Sequence, residues 1–472
     1  MTALLGTADE VAQREARRPR VTAEPDETLR EVKNVGNGKG WRAMGRYSAI
    51  FLLAFLCFLD FPGNSRVRAE LAPGSMLSQA NWQEAKGLLP DPILRRFQDG
   101  KYQAKVITLP DTLGWGGKFK AAAETNAGKF SVNAEGFLVD NSTHTYPAFL
   151  YGYPFPQLDP KDPQAAVKVM YNFSYTLMQP DDLDRSANLH WLTPSTLERY
   201  VEFEGQILFY GSRFSGPIAN PDATLRKLII AGVSPHDVVG VVTLEWTYLD
   251  PQQWNSLWTY VPGLRRARQR PPANGSDGLF GSDLAHDDPY LFSGKIQYFT
   301  WKFVGIQEAL VPYTLPNPKP LQRTPQGYAF GSLPNFLALG WETKGWTGDS
   351  WWPANYTLVK RPVWVIEATA KDPQYAYGRQ VLWIDKDLYV GYYKEAYDKG
   401  GRLWRTQVGS VSVGRSAAGD FSLAQPDFTL SVDEQRNHAT VELPLKQPER
   451  VTFNAGLPER LFTQLEMMKR AK

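Results

Sequence analysis

The chain has 472 residues, with 52 Lys+Arg against 49 Asp+Glu, one cysteine, and 13% aromatic side chains including 15 Trp. A single cysteine excludes an internal disulfide framework, and a net charge of +3 supplies no long-range field of the kind that captures nucleic acid. The length fits one large β architecture.

Residues 1–43 are polar, mixed in charge and poor in apolar side chains, so they cannot bury a core. They read as a disordered leader or a misassigned start, with Met44 as the expected first residue. In residues 44–69, Arg46 precedes an unbroken apolar run from Ala49 to Leu59, which Asp60 and Pro62 close. That order is the order of a secretory signal peptide, with cleavage expected after Ala69. A bilayer span needs roughly 20 apolar residues, so this run is too short to be one. Cys57 sits inside it as one more hydrophobe, because Phe55 and Leu56 are not the small residues that precede a lipidated cysteine. Residues 1–69 carry 11 of the 52 basic and 8 of the 49 acidic residues, which leaves 41 of each in the exported chain. A neutral periplasmic protein, with possible outer-membrane association, is the expectation.

From residue 85 onward strand signals dominate, and the helical ones are local. "DPILRRF" predicts a short helix, and "YQAKVITL" and "GKFSVNAEGFLVD" predict strands. "DPKDPQAAVKVMYNFSYTLMQ" has Pro163 near a helix start and apolar Ala166, Val169, Met170, Phe173 and Leu177 on one face. Strands follow in "ERYVEFEGQILFYGSRF" and "VVGVVTLEWTYL", then a short helix in "DPQQWNSL". "KIQYFTWKFVGIQEALV", "RPVWVIEATAK", "RQVLWIDKDLYVGYYKEAYD" and "RLWRTQVGSVSV" predict further long strands, and "ERLFTQLEMMKRAK" a last helix. The internal helices, and charges on both strand faces, argue against an outer-membrane barrel. Helices beside one long antiparallel sheet imply that they cover a sheet face or plug a partial barrel.

Between Trp258 and Tyr290 the sequence reads "WTYVPGLRRARQRPPANGSDGLFGSDLAHDDPY". Arg265, Arg266, Arg268 and Arg270 follow Trp258 and Tyr260, and Asp277, Asp283, Asp287 and Asp288 lie downstream. In an extended segment Arg266, Arg268 and Arg270 share one side. Planar arginine–carboxylate pairing predicts an internal ion-pair network that fixes a loop over the sheet. The second reading is a docking site for an anionic head group or a partner protein. "DLAHDD" lacks the alternating ligands and central glycine of a calcium loop, so no metal is expected. G-x-S-x-G, H-E-x-x-H and P-loop motifs are absent, and the five histidines have no ligand-like spacing. The chain therefore reads as neither an enzyme nor a cofactor protein.

Several segments in order, "GYPFPQLDPKDPQAAVKVMYN", "LWTYVPGLRRARQRPPANGSDGLFGSDLAHDD", "FSGKIQYFTWKFVGIQEALVPY" and the long run from "PVWVIEATAKDP" to "GGRLWR", resemble a Gram-negative family. Its members are domains of unknown function classed with outer-membrane lipoprotein sorting, and the resemblance covers about residues 80 to 466. It implies a mainly β (α+β) fold like the LolA/LolB superfamily: a large curved antiparallel sheet forming a half-open barrel, with helices in or over its concave face. It also implies an apolar hollow for acyl chains, and companions among outer-membrane proteins and RND-type exporters. The chain departs from a LolA-type carrier in being about twice as long. Residues 70–472 are expected to form one such domain, a carrier for a hydrophobic molecule or lipid. A structural partner of an export complex with a filled core is the first alternative and a periplasmic hydrolase the second.

Overall fold

A computed structural model describes residues 71–109, 113–271, 275–315, 317–330, 337–444 and 451–471. The expected leader and signal peptide, with Cys57 and the cleavage point, lie outside the described residues. The chain passes through β1 (Met76–Leu77), α1 (Asp91–Gln98), β2 (Ala104–Val106) and α2 (Gly117–Thr125), then a separate hairpin of β3 (Phe130–Val132) and β4 (Leu138–Asp140), and then α3 (Ala165–Leu177). α1 starts at a proline-marked N-terminus and buries Ile93, Leu94 and Phe97. α3 is buried almost all round, beyond the single apolar face its spacing predicts. Its Asn172 makes this tolerable by exchanging two hydrogen bonds with the Phe155 backbone, at 3.0 and 2.7 Å.

Strands make up most of the remainder: β5 (Asp182–Leu192), β6 (Leu197–Phe209), β7 (Thr224–Ser234), β8 (Val242–Tyr248), β9 (Ser256–Val261), β10 (Arg266–Arg270), β11 (Phe299–Pro312), β12 (Lys319–Thr324) and β13 (Gly327–Phe330). After them come β14 (Thr357–Ala370), β15 (Arg379–Asp385), β16 (Gly391–Tyr397), β17 (Leu403–Ser416), β18 (Ser422–Asp433), β19 (His438–Pro444), β20 (Val451–Phe453) and finally α4 (Gln464–Arg470). Antiparallel pairing runs β10-β9-β8-β7-β6-β5-β19-β18-β17-β16-β15-β14-β11. Among the described residues β10 and β11 each lack a second partner strand, so this large curved sheet stays open.

Two parallel pairings, β2 with β14 and β12 with β17, make the sheet mixed where a purely antiparallel one was expected. A side branch, β12-β13-β20, returns to β5, so hydrogen bonds close a circuit β5-β19-β18-β17-β12-β13-β20. Those strands share an apolar cluster that includes Leu183, Leu321, Phe330, Leu423 and Phe453. The expected helix in "DPQQWNSL" does not form. Asp250 Oδ1 accepts from the Gln252 amide at 2.8 Å, a side-chain turn that diverts the chain straight into β9. At the C-terminus Thr463 caps α4 by accepting from the Glu466 amide.

Both faces of the sheet are covered at its centre, because β18 is buried at every position. Over β7 and β8, Phe462 and Met467 of the C-terminal segment pack on Ile229, Val242 and Leu244. The opposite, inner face carries the segment 275–298.

Candidate ligand-binding cleft

The sheet separates the residues that the sequence suggested as one site. Trp258 and Tyr260 pack on the α4 side with Leu244, Val242 and Trp246, the Trp246–Trp258 rings meeting edge to face at 5.7 Å. Their neighbours Leu257 and Thr259 take the inner face, as period-2 alternation requires. Arg265 turns the β9–β10 hairpin at φ +46°, and Arg266 and Arg268 lie exposed on the edge strand β10. Of the expected network between these arginines and Asp277, Asp283, Asp287 and Asp288, no pair to the last three forms among the described residues. Only Arg270 finds a carboxylate among the described residues, that of Asp277. The physical reason is that Asp283 and Asp288 are buried against strands that supply their own donors, while half-buried Asp287 takes a hydrogen bond from Tyr375 in the β14–β15 loop.

Those donors come from cross-strand register. Lys394 of β16, Gln407 of β17, Ser431 of β18 and Thr440 of β19 are successive partners in one row. They share the inner face and form a polar ladder across four strands. Asp288, fully buried, pairs with Lys394 and accepts from Gln407 Nε2 at 2.6 Å and from the Ala285 amide at 2.7 Å. The Asp283 carbonyl accepts from Ser431 Oγ at 2.8 Å, and its amide donates to Thr440 Oγ1 at 2.9 Å. Its carboxylate meets Arg405 at 3.0 Å and His438 Nδ1 at 2.5 Å. Asp287 accepts from Tyr375 OH at 3.1 Å and lies so close to Gly275 that a Cβ there would stand 2.4 Å from its oxygen. All three carboxylates are thus engaged by protein donors, and they dock the segment onto the sheet. No grouping of three or more His, Cys, Asp or Glu suited to a metal occurs among the described residues.

Past the polar ladder the same segment crosses β5–β8 without comparable ties. There a cavity of about 60 Å³ opens beneath it, floored by Leu183, Phe203, Ile207, Leu228 and Ile230 and roofed by Leu279, Pro289 and Tyr290. Arg185, Arg226, Glu245 and His286 also reach it. Arg185 is held by Glu442. Glu245 accepts from Asn255 Nδ2 at 2.9 Å and Thr247 Oγ1 at 3.1 Å. A second cavity of about 30 Å³ adjoins the first at Arg226 and Ser293, and Lys295, Gln297, Thr247, Tyr146 and Tyr171 line it. The roof is strained, since Phe280, Tyr290 and Leu291 hold φ values of +51°, +59° and +72°. Non-glycine residues in that region cost roughly 1–2 kcal/mol each, and such strain gathers where a structure does work.

Burial sets the protonation of this region. It pushes the Asp287 carboxyl up to about 7, Glu245 adding to the rise and the Tyr375 hydrogen bond opposing it. It pushes Lys295 down to about 8 and lowers His286, which favours the neutral imidazole. His438 moves the other way, raised first by its hydrogen bond to Asp283. Sequence reading missed Arg226 and Lys295. The available signal was that Arg226 is in phase with Leu228 and Ile230 along β7, a charge set in an apolar row.

No helix among the described residues is long and apolar enough to cross a membrane. No curated protein matches the chain. Solved structures do. One, named as an outer membrane lipoprotein-sorting protein domain from Vibrio parahaemolyticus, shares 16% identity, covers 65% of this chain and 100% of its own, and superposes with a TM-score of 0.44. A DUF1329 family protein from Desulfovibrio piger shares 15% identity over 61% of this chain and 92% of its own, at a TM-score of 0.40. A LolA superfamily protein from Nitrosomonas europaea shares 12% identity over 64% of this chain and 98% of its own, at 0.38. The family is decided by sequence: residues 76–467 match the profile described as protein of unknown function (DUF1329), and the chain belongs to that family.

Proposed function

We propose that this protein binds a hydrophobic ligand, a lipid, acyl chain or other exported apolar molecule, in the cleft between β5–β8 and the segment above it. Binding is reversible and without covalent chemistry, and it serves a carrier role in the periplasm with hand-over to an outer-membrane or exporter partner. The observation that carries this reading is the contrast within one segment. It is tied by buried charges over β16–β19, yet over β5–β7 it spans an apolar floor and leaves a void. A cavity of about 60 Å³ holds only a few waters, whereas ligand sites usually occupy roughly 300–1,000 Å³. Uptake therefore displaces the roof side chains Leu279, Pro289 and Tyr290 from the floor while Asp283 and Asp288 stay docked.

Native mass spectrometry with lipid extraction on gently purified protein tests the proposal. A defined apolar adduct, removed by delipidation and restored by reloading, supports it. A clean apo mass with no uptake of added lipid would sink it. The packed interior favours one other reading, a structural partner of an export complex, and that result would move the search to protein partners.

A further inference from the structure

Arg226 and Lys295 both reach the smaller cavity, and neither has a carboxylate within ion-pair distance among the described residues. Arg226 donates through Nη2 to the Ser293 carbonyl at 2.7 Å, while its buried Nε has no acceptor. Lys295 is 6% exposed and donates to the backbone carbonyls of Asp250 and Gln253, at 2.6 and 2.7 Å. Elsewhere on the inner face buried cations are matched: Lys394 by Asp288, Arg405 by Asp283 and Asp433, Arg185 by Glu442. Glu245, which lines the larger cavity, takes its hydrogen bonds from Asn255 and Thr247, and the Asp250 carboxylate acts on Lys295 without forming an ion pair among the described residues. Burying a cation without a counter-charge is costly unless something supplies one.

We infer that the ligand is an amphiphile with an anionic head, a carboxylate or phosphate, whose head is held by Arg226 and Lys295 while its chain lies along Leu228, Ile230, Phe203 and Leu279. The inference rests on the hydrophobic-ligand reading and names the class of ligand. Arg226 stands at the junction of the two cavities, with Lys295 in the smaller one and Leu228, Ile230, Phe203 and Leu279 in the larger. Gln297, Ser293 and Thr247 offer further polar contacts to the same head. A guanidinium beside an ammonium suits an oxyanion, since the planar fork reads two oxygens and the ammonium a third.

The test is calorimetric binding of dodecanoate, dodecan-1-ol and inorganic phosphate to the full chain and to Arg226→Gln and Lys295→Met. Dodecanoate should bind at least about tenfold more tightly than the alcohol of equal chain length, the gain of one charge-assisted contact. Each substitution should bring that ratio toward one, and thermal melting confirms that both variants stay folded. Equal affinity for acid and alcohol would overturn the head-group inference and leave the carrier reading standing. Binding of neither would overturn the carrier reading as well. Phosphate binding as tightly as dodecanoate would mark a small-anion site and remove the amphiphile.

Discussion

The segment 275–298 meets the inner face in two regions, and they obey different rules. Over β16–β19 every charged group has an opposite charge or a set of hydrogen bonds, and Leu291 fills the place where Gly409 has no side chain. Over β5–β8 the floor is largely apolar, space remains, and among the described residues Arg226 and Lys295 form no ion pair with a carboxylate. The difference teaches that one segment can plug the sheet through some side chains, Asp283 and Asp288, while others flanking them, Leu279 and Tyr290, roof a cavity. The boundary is set where the polar ladder stops.

The largest expected effect comes from breaking the tied half. Asp288→Ala leaves the Lys394 ammonium buried and alone, at a loss of about 3–5 kcal/mol, read as a lowered denaturation midpoint. Replacing the pair together, Asp288→Leu with Lys394→Met, should recover most of that loss. If the single and double variants melt alike, the ladder is not what anchors the segment.

In the open half, Gly205→Val sharpens the contrast. Gly205 lines the larger cavity, and a Cβ there meets only Ile230, at 3.9 Å. A valine on β6 should block apolar ligand uptake while changing stability by about 1 kcal/mol or less. Undiminished uptake would place the ligand elsewhere.

Two pH dependences separate the halves more finely. Lys295 falls to about 8 from an ordinary 10.5, so the folded state binds fewer protons than the unfolded one between those values, and stability should rise across that window. The groups facing it are the Asp250 and Gln253 carbonyls, the Asp250 carboxylate, Arg226 and the Tyr298 ring 5.6 Å away. Lys295→Met should abolish the rise. His438 is raised, so its tie to Asp283 is fully present below the ordinary histidine range and is lost as pH climbs through the folded value. Facing it are Asp283 and Glu198, with Asp433 its cross-strand partner. His438→Gln should flatten that loss in a stability–pH series.

The smallest effect belongs to Arg266→Ala and Arg268→Ala. Both arginines are exposed, so each change should move stability by about 0.5 kcal/mol or less. They blunt an edge strand, and self-association at high concentration is where their removal should register.

Much of this architecture was legible because apolar alternation survives in strands such as β8 and β14, whose residues "VTLEWTY" and "RPVWVIEATA" carry it openly. β5 and β18 hide theirs. Ser186, Asn188 and His190, and Gln425, Asp427, Thr429, Ser431 and Asp433, are polar yet buried. For the ladder on β18, a main partner is Asp283, 148 positions away from Ser431 in the chain. The aspartates were correctly seen as a cluster with chemistry to satisfy. Arginines beside them in sequence drew the pairing wrongly, because the true donors to Asp283 and Asp288 come from strands more than a hundred residues on. The cleft was illegible for a related reason: its walls belong to β5–β8, while its roof is the later stretch from Leu279 to Ser293.

The closed circuit of β5, β19, β18, β17, β12, β13 and β20 carries a consequence for how the chain acquires its structure. β5 starts at Asp182, but its neighbours on one flank are β19 and β20, at the far end of the polypeptide. Until His438–Phe453 has emerged, β5 can pair only with β6, and the sheet's middle stays unzipped. Contacts of such long range are slow to form, because loop closure must precede them. The protein is therefore built to remain unfinished through most of its synthesis and to lock only when its last strands arrive.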